Sequence, residues 1–345
     1  MNRRQDTGDL NWKLSQLPTK DKQPGSVRIL DGWVNQADSK LVPGGTGGRL
    51  RWLVASTVVI AALQRAVDSD GRALFLLKGG TLLQHRLGQA TRATKDVDGL
   101  IRGGLEPFLD KLDEALALPW GPLELSRGPI EIIQTPARVI KPRRFDVILA
   151  MKGKTWARIQ VEIASDEGGA GAEAESVASP PLGAFGIPAP DQMLGLAMRF
   201  QIAQKLHAAS DPHDPPLSIN DRARDIVDLV LLQQLTQEEN SPMLSQILEA
   251  AVAVFEARAA DARSLGYLER TWPPIRSRSL HPSPKHLHQI RSDQNRIPHH
   301  HNTHSVSVAT TARTQGSAYG QHGGRNEAVP FGLRKRRTRS LTDSG

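Results

Sequence analysis

The sequence predicts an α+β protein: a small mixed sheet flanked by helices, then an α-helical domain, then a disordered C-terminal tail. Short apolar or alternating runs recur at 73–77, 130–133, 145–151 and 156–163, interleaved with helical patterns. From Asp191 to about Arg270 the periodicity is helical throughout, and beyond Trp272 the chain turns to Pro, Ser, His, Arg, Gln and Gly with almost no apolar clustering. Such a tail cannot offset the entropy of ordering itself.

Taken in order, residues 1–45 form a variable polar segment that ends in the glycine-rich break from Pro43 to Gly48. The catalytic core domain follows over 46–165. It opens with a helix over 49–67, whose apolar window Trp52 to Leu63 is too short to span a bilayer and reads as a buried helix. The order is then strand, Gly79-Gly80 turn and helix, followed by a polar strand from Thr91 to Leu100 and a helix over 105–118. The runs 145–151 and 156–163 flank Lys152-Gly153-Lys154-Thr155, a hairpin. Residues 166–184, rich in Gly, Ala, Ser and Glu, read as a linker, 185–270 as the helical domain, and 271–345 as the basic tail.

Composition narrows the chemistry. The 345 residues need no staples, and the absence of cysteine excludes disulfides, thiol nucleophiles and cysteine-ligated metals. The formal charge of +8 resides in the tail, where 12 Lys+Arg stand against 3 Asp+Glu over 271–345; residues 1–270 hold 32 against 33. The polar start MNRRQDTGDLNWK offers no apolar signal region, so the expectation is a cytoplasmic protein with no membrane partner.

Asp96 and Asp98 are two apart, a spacing that in a strand turns both carboxylates to one face. Two adjacent carboxylates repel unless a cation lies between them, and hard divalent ions prefer such oxygen ligands. The strand–Gly79-Gly80–helix unit before them lets backbone N–H groups approach phosphate oxygens at a helix N-terminus. A paired-aspartate metal site beside a phosphate cradle is the expected chemistry.

These residues carry a resemblance. Leu77-Lys78-Gly79-Gly80-Thr81-Leu82-Leu83, followed by Arg92-x-Thr94-x-Asp96-x-Asp98, resembles the signature of the AbiEii/AbiGii toxin family, a branch of the DNA polymerase β-like nucleotidyltransferases. Ile202 to Ala208, with Lys205, and Arg222 to Leu229, with Asp225 and Asp228, resemble a second motif of that family. The resemblance implies a polymerase β-like mixed-sheet domain and a helical domain, Mg²⁺ in a two-metal site, and transfer of a nucleoside monophosphate from an NTP to a nucleic-acid acceptor, tRNA among them, or to a protein. It also implies a type IV-like toxin–antitoxin pair and a cognate antitoxin encoded nearby.

Carried over by residue, it makes Asp96 and Asp98 metal ligands with Glu162 as the third carboxylate and Asp146 as its rival. Lys78, Gly79, Gly80, Thr81, Arg92 and Thr94 would serve the nucleotide, with Thr81 and the glycine turn on the β- and γ-phosphates. Lys205 would add charge on the triphosphate, and Asp225 and Asp228 would orient it or assist deprotonation. Ala93 and Gly99 depart from the family pattern, Gly99 in a way expected to loosen its strand.

Gly153-Lys154-Thr155 is not a P-loop, because a hairpin turn cannot launch the required helix. His299-His300-His301 with His304 reads as a fortuitous cluster, and Arg334 to Arg339 could grip RNA through charge alone. Two other functions stay open at this stage: a regulatory module that binds NTP without chemistry, and a nucleic-acid binder acting through the tail.

Overall fold

The computed structural model describes residues 10–41, 48–87, 94–135, 138–210, 222–267 and 269. The tail, the histidine cluster and Arg92 lie outside the described residues.

Helices α1 (Leu10–Ser15), α2 (Val27–Leu41) and α3 (Arg49–Leu63) open the chain. Then come β1 (Phe75–Lys78), α4 (Gly79–Leu87), β2 (Asp96–Ile101), α5 (Leu105–Ala117), β3 (Glu124–Arg127), β4 (Glu131–Ile132), β5 (Arg143–Met151) and β6 (Lys154–Ser165). The chain continues with β7 (Ala174–Val177), β8 (Met193–Leu196), α6 (Met198–Ala209), α7 (Ala223–Glu239) and α8 (Leu244–Ser264). The strands form one mixed sheet in the order β3-β5-β6-β2-β1-β8-β7, with β4 paired to β5. The β2–β6 and β1–β8 pairs are parallel and the remainder antiparallel.

One face of the sheet is dry. Val97 on β2, Phe145, Val147 and Leu149 on β5, and Ile159, Val161 and Ile163 on β6 alternate toward it, all at most 2% exposed. They share a single core with α3, which is buried along nearly its whole length, and with the apolar stripe of α5. Strict alternation then forces the residues between them to the other face. A smaller cluster of Leu83, Met198, Ile202, Leu232 and Leu235 joins α4, α6 and α7.

The β5–β6 hairpin closes at Lys152 and Gly153, both at positive φ (50° and 74°), as a two-residue turn matched to strand twist requires. Gly99 does not loosen β2. It pairs with Leu77 and Ile163, and a Cβ there would stand 2.1 Å from the Phe75 ring, so the glycine makes room for a core aromatic.

Residues 166–184 are not all loop: Ala174–Val177 pairs with Met193–Leu196 as β7 and β8, and β8 joins β1. Met193–Leu196 is therefore strand, with α6 starting only at Met198. The Met193 and Leu196 spacing suits a helix stripe, but pairing with two neighbouring strands overrides that weak preference. Gly195 also lets Leu82 of α4 come close, since a Cβ there would lie 2.5 Å from its Cδ1.

Candidate active site

The polar face of the sheet carries two rows of functional side chains. Register aligns Lys78 of β1 with Asp98 of β2, Asp98 with Glu162 of β6, and Glu162 with Arg144 of β5. The next row runs from Asp96 through Gln160 to Asp146. Directly opposed residues project to the same face, so Asp96, Asp98 and Glu162 form one carboxylate patch. Glu162 borders Asp98 directly, whereas Gln160 separates Asp146 from Asp96 and Arg158 pairs with Asp146 at 2.9 Å.

The glycine turn abuts this patch. Gly79 has φ +67°, and a Cβ on it would lie 2.1 Å from Asp98 Oδ2. Only glycine both tolerates that backbone and lets the first turn of α4 approach the carboxylate. Gln201 of α6 donates to the Gly79 carbonyl at 3.1 Å, which ties the helical part to the turn. Thr81 is fully buried and donates to the Asp96 carbonyl at 2.6 Å; Thr94 donates to the same carbonyl at 3.3 Å. Both hydroxyls thus hold the start of β2, and Thr81 is spent there instead of facing solvent.

Glu162 is drawn sideways. Arg144 donates to its Oε1 through Nε at 2.8 Å and through a terminal nitrogen at 2.5 Å. Gln160 bridges the patch, with its amide at 3.2 Å from Asp96 Oδ1 and 3.3 Å from Glu162 Oε1. Neither residue belongs to the motifs that the sequence singles out. Parity signals Gln160, which shares the strand face of Glu162; Arg144 carries no such signal, because counting back from the turn would set it opposite Val161, and only the β-bulge at Leu149/Ala150 shifts it to Glu162.

Electrostatics mark the patch as short of positive charge. Burial, with the charges of Glu162 and Asp96, pushes the Asp98 carboxyl up to about 6 against the opposing pull of Lys78 and Lys205. Burial and Glu162 also raise Asp96. Lys78 is held below the usual lysine range by burial, countered by Glu167 and Asp98, and it forms no ion pair with a described residue.

Lys205 of α6 is nearly buried, its ammonium 3.1 Å from Asp225 and 2.6 Å from the buried Asp228 of α7. The second motif therefore assembles as a charge triad within reach of Asp98. At the far end of β6, Glu167 meets Arg138 at 2.6 Å and Arg258 of α8 at 2.9 Å. Burial raises its carboxyl, but the two guanidiniums prevail and bring it down to about 2.

The donor set suits a hard divalent cation, since three oxygen-ligand side chains share a face and two are raised by burial and by the neighbouring carboxylates. Among the described residues, no three acidic or imidazole groups already converge at ligating distance. Arg144 and Gln160 both engage Glu162 through Oε1, so they compete with a cation for that oxygen.

A mixed sheet presenting a glycine turn against paired aspartates, closed by helices, defines a nucleotidyltransferase. The family model described as "Nucleotidyl transferase AbiEii toxin, Type IV TA system" matches residues 61–304, and the chain belongs to that family. The match passes the compositional break at Trp272. Solved structures similar to the chain include MenT4, the nucleotidyltransferase toxin Rv2826c from Mycobacterium tuberculosis H37Rv, at 17% identity and TM-score 0.42, covering 74% of this chain and 79% of that one. Another is the antibiotic-resistance factor ANT(2'')-Ia, at 17% identity and TM-score 0.31, covering 61% of this chain and 97% of that one. No curated protein matches the chain. Among the described residues no helix is long and apolar enough to cross a membrane.

Proposed function

We propose that this nucleotidyltransferase toxin uses Mg²⁺ to move a nucleoside monophosphate from an NTP to a hydroxyl of an RNA acceptor, tRNA among them. A cognate antitoxin would restrain it. The observation that carries this reading is the contact of the Gly79 turn with Asp98, which brings a phosphate cradle against the carboxylate patch. Asp96, Asp98 and Glu162 are the residues that would hold divalent cations, which supply charge neutralisation on the triphosphate and on the attacking oxygen.

The chain's own part is positioning, the main demand of phosphoryl transfer. The N–H groups at the start of α4 and the ammonium of Lys78, which forms no ion pair with a described residue, take the triphosphate. Lys205, shared between two aspartates, adds less net charge there and instead fastens α7 to α6 beside the cleft. The acceptor oxygen forms a bond to the α-phosphorus as the bond toward the β-phosphate breaks. Pyrophosphate leaves, and the hydroxyl proton passes to a carboxylate of the patch or to solvent.

Labelled NTPs, Mg²⁺ and total RNA provide the test. Wild type should label RNA and Asp96→Ala should not. Equal labelling by both would refute the reading, and NTP binding without transfer to any acceptor would favour a regulatory module.

A further inference from the structure

β6 begins before β2 does. Residues 154, 155 and 157–159 pair with β5 alone and Trp156 bulges out of register, because β2 joins β6 no earlier than the Asp96–Gln160 pair. The first turn of α3 occupies the resulting notch. The Trp52 indole donates to the Lys95 carbonyl at 3.1 Å, the Trp156 indole donates to Asp31 at 2.8 Å, and Arg51 donates to the Trp156 carbonyl. A cavity of about 270 Å³ remains, walled by Arg51, Trp52, Trp156, Arg158 and Ile159. Ile159 and α3 belong to the dry face, whereas Arg158, which also lines the cavity, stands on the face of Gln160 and Glu162, so the cavity opens at the uncovered edge of β6 between the two faces.

Its surroundings are basic. Over 141–158 six cations, Lys141, Arg143, Arg144, Lys152, Lys154 and Arg158, stand against the single acid Asp146, although residues 1–270 as a whole are nearly balanced. Arg144 and Arg158 share the face of the carboxylates and remain 40% and 59% exposed; Arg51 is 44% exposed. A guanidinium carries five N–H donors, so pairing with one carboxylate leaves donors for a phosphate.

Reaction geometry fixes the side of approach. The attacking and leaving oxygens lie roughly in line through phosphorus. With the triphosphate on the β1–α4 side, the acceptor must arrive from the β6–β5 side, where the basic strip and the notch are. We propose that this strip and notch form the acceptor subsite for single-stranded RNA. Phosphates run along Arg144 and Arg158, and a base at the RNA end enters the cavity against Trp52, as aromatic and arginine side chains commonly receive unstacked bases. The inference rests on the nucleotidyl-transfer reading above.

The test uses the full chain carrying Asp96→Asn, so that nothing turns over, and an RNA oligonucleotide ending in 4-thiouridine. Ultraviolet crosslinks, mapped by mass spectrometry, are expected in the peptides that contain Trp52 and Trp156. In the active chain, Arg158→Gln should raise the KM for RNA on the order of tenfold, the loss of one charge-assisted phosphate contact, and leave the KM for NTP unchanged. The basic tail is identical in both proteins and cannot produce that difference. Crosslinks confined to 271–345, an unchanged KM for RNA, or labelling of protein hydroxyls that RNA does not inhibit would each overturn the subsite. Absence of any labelled acceptor with wild type would instead defeat the nucleotidyl-transfer reading, and the crosslink map would still decide where RNA sits.

Discussion

Asp98→Asn should make the metal-free protein more stable while abolishing its chemistry. The Asp98 carboxyl is raised from 3.8 to about 6 by burial and by Glu162 and Asp96. A carboxyl that holds its proton more tightly when folded makes the native state bind more protons between pH 4 and 6. Stability therefore falls as pH rises through that window, and the deficit persists above it. At 1.36 kcal/mol per unit, the penalty above pH 7 is at most about 3 kcal/mol for the shift from 3.8 to about 6. Removing the charge with an isosteric amide should recover much of it, a rise in Tm of several degrees at about 2–4 °C per kcal/mol. Thermal unfolding in EDTA at pH 5 and pH 8 would measure this, with and without 10-millimolar-scale Mg²⁺, which should stabilise wild type by mass action and the variant far less. A variant no more stable than wild type at pH 8, yet still stabilised by Mg²⁺, would refute the argument.

Gly79→Ala should cost about 1–2 kcal/mol from its left-handed backbone alone, and the added methyl should displace Asp98, so transfer falls much further than stability; chemical denaturation and labelling assays separate the two. Arg144→Gln should free Glu162 and tighten Mn²⁺ binding, measured by electron paramagnetic resonance; unchanged affinity would mean that the Arg144–Glu162 pair does not compete with the cation. Lys205→Met deprives the buried Asp228 of its cation and should destabilise the fold by about 3 kcal/mol, and adding Asp228→Asn should restore part of that in urea unfolding curves. Glu167→Gln should weaken the attachment of α8 and remove stability that wild type loses only as pH falls from about 4.5 toward 2, since its depressed carboxyl is stabilising whenever ionised.

Much of the frame was legible locally. Helix α3 (Arg49–Leu63), the glycine turn and the β5–β6 hairpin each carry their own signal: an unbroken apolar window, Gly79-Gly80 and Lys152-Gly153. The short strands Ala174–Val177 and Met193–Leu196 were not legible. Their residues are small, polar or helix-favouring, and what makes them strands is a partner far away in the chain. Thr81 illustrates the same limit within the site. Its place after the glycines suggests a phosphate contact, yet the Asp96 carbonyl, fifteen positions on, claims its hydroxyl.

By itself the sequence determined that Asp96 and Asp98 share a face, because alternation along a strand is a property of the backbone and needs no partner. Gly79 likewise declared a turn before α4. Only the tertiary structure decided that this turn presses on Asp98, that Glu162 rather than Asp146 borders it, and that Arg144 and Gln160 hold Glu162 in the meantime. Those facts depend on the register of four strands from distant parts of the chain. Register is set by which buried side chains fill the opposite face together, and no short stretch of sequence contains that information.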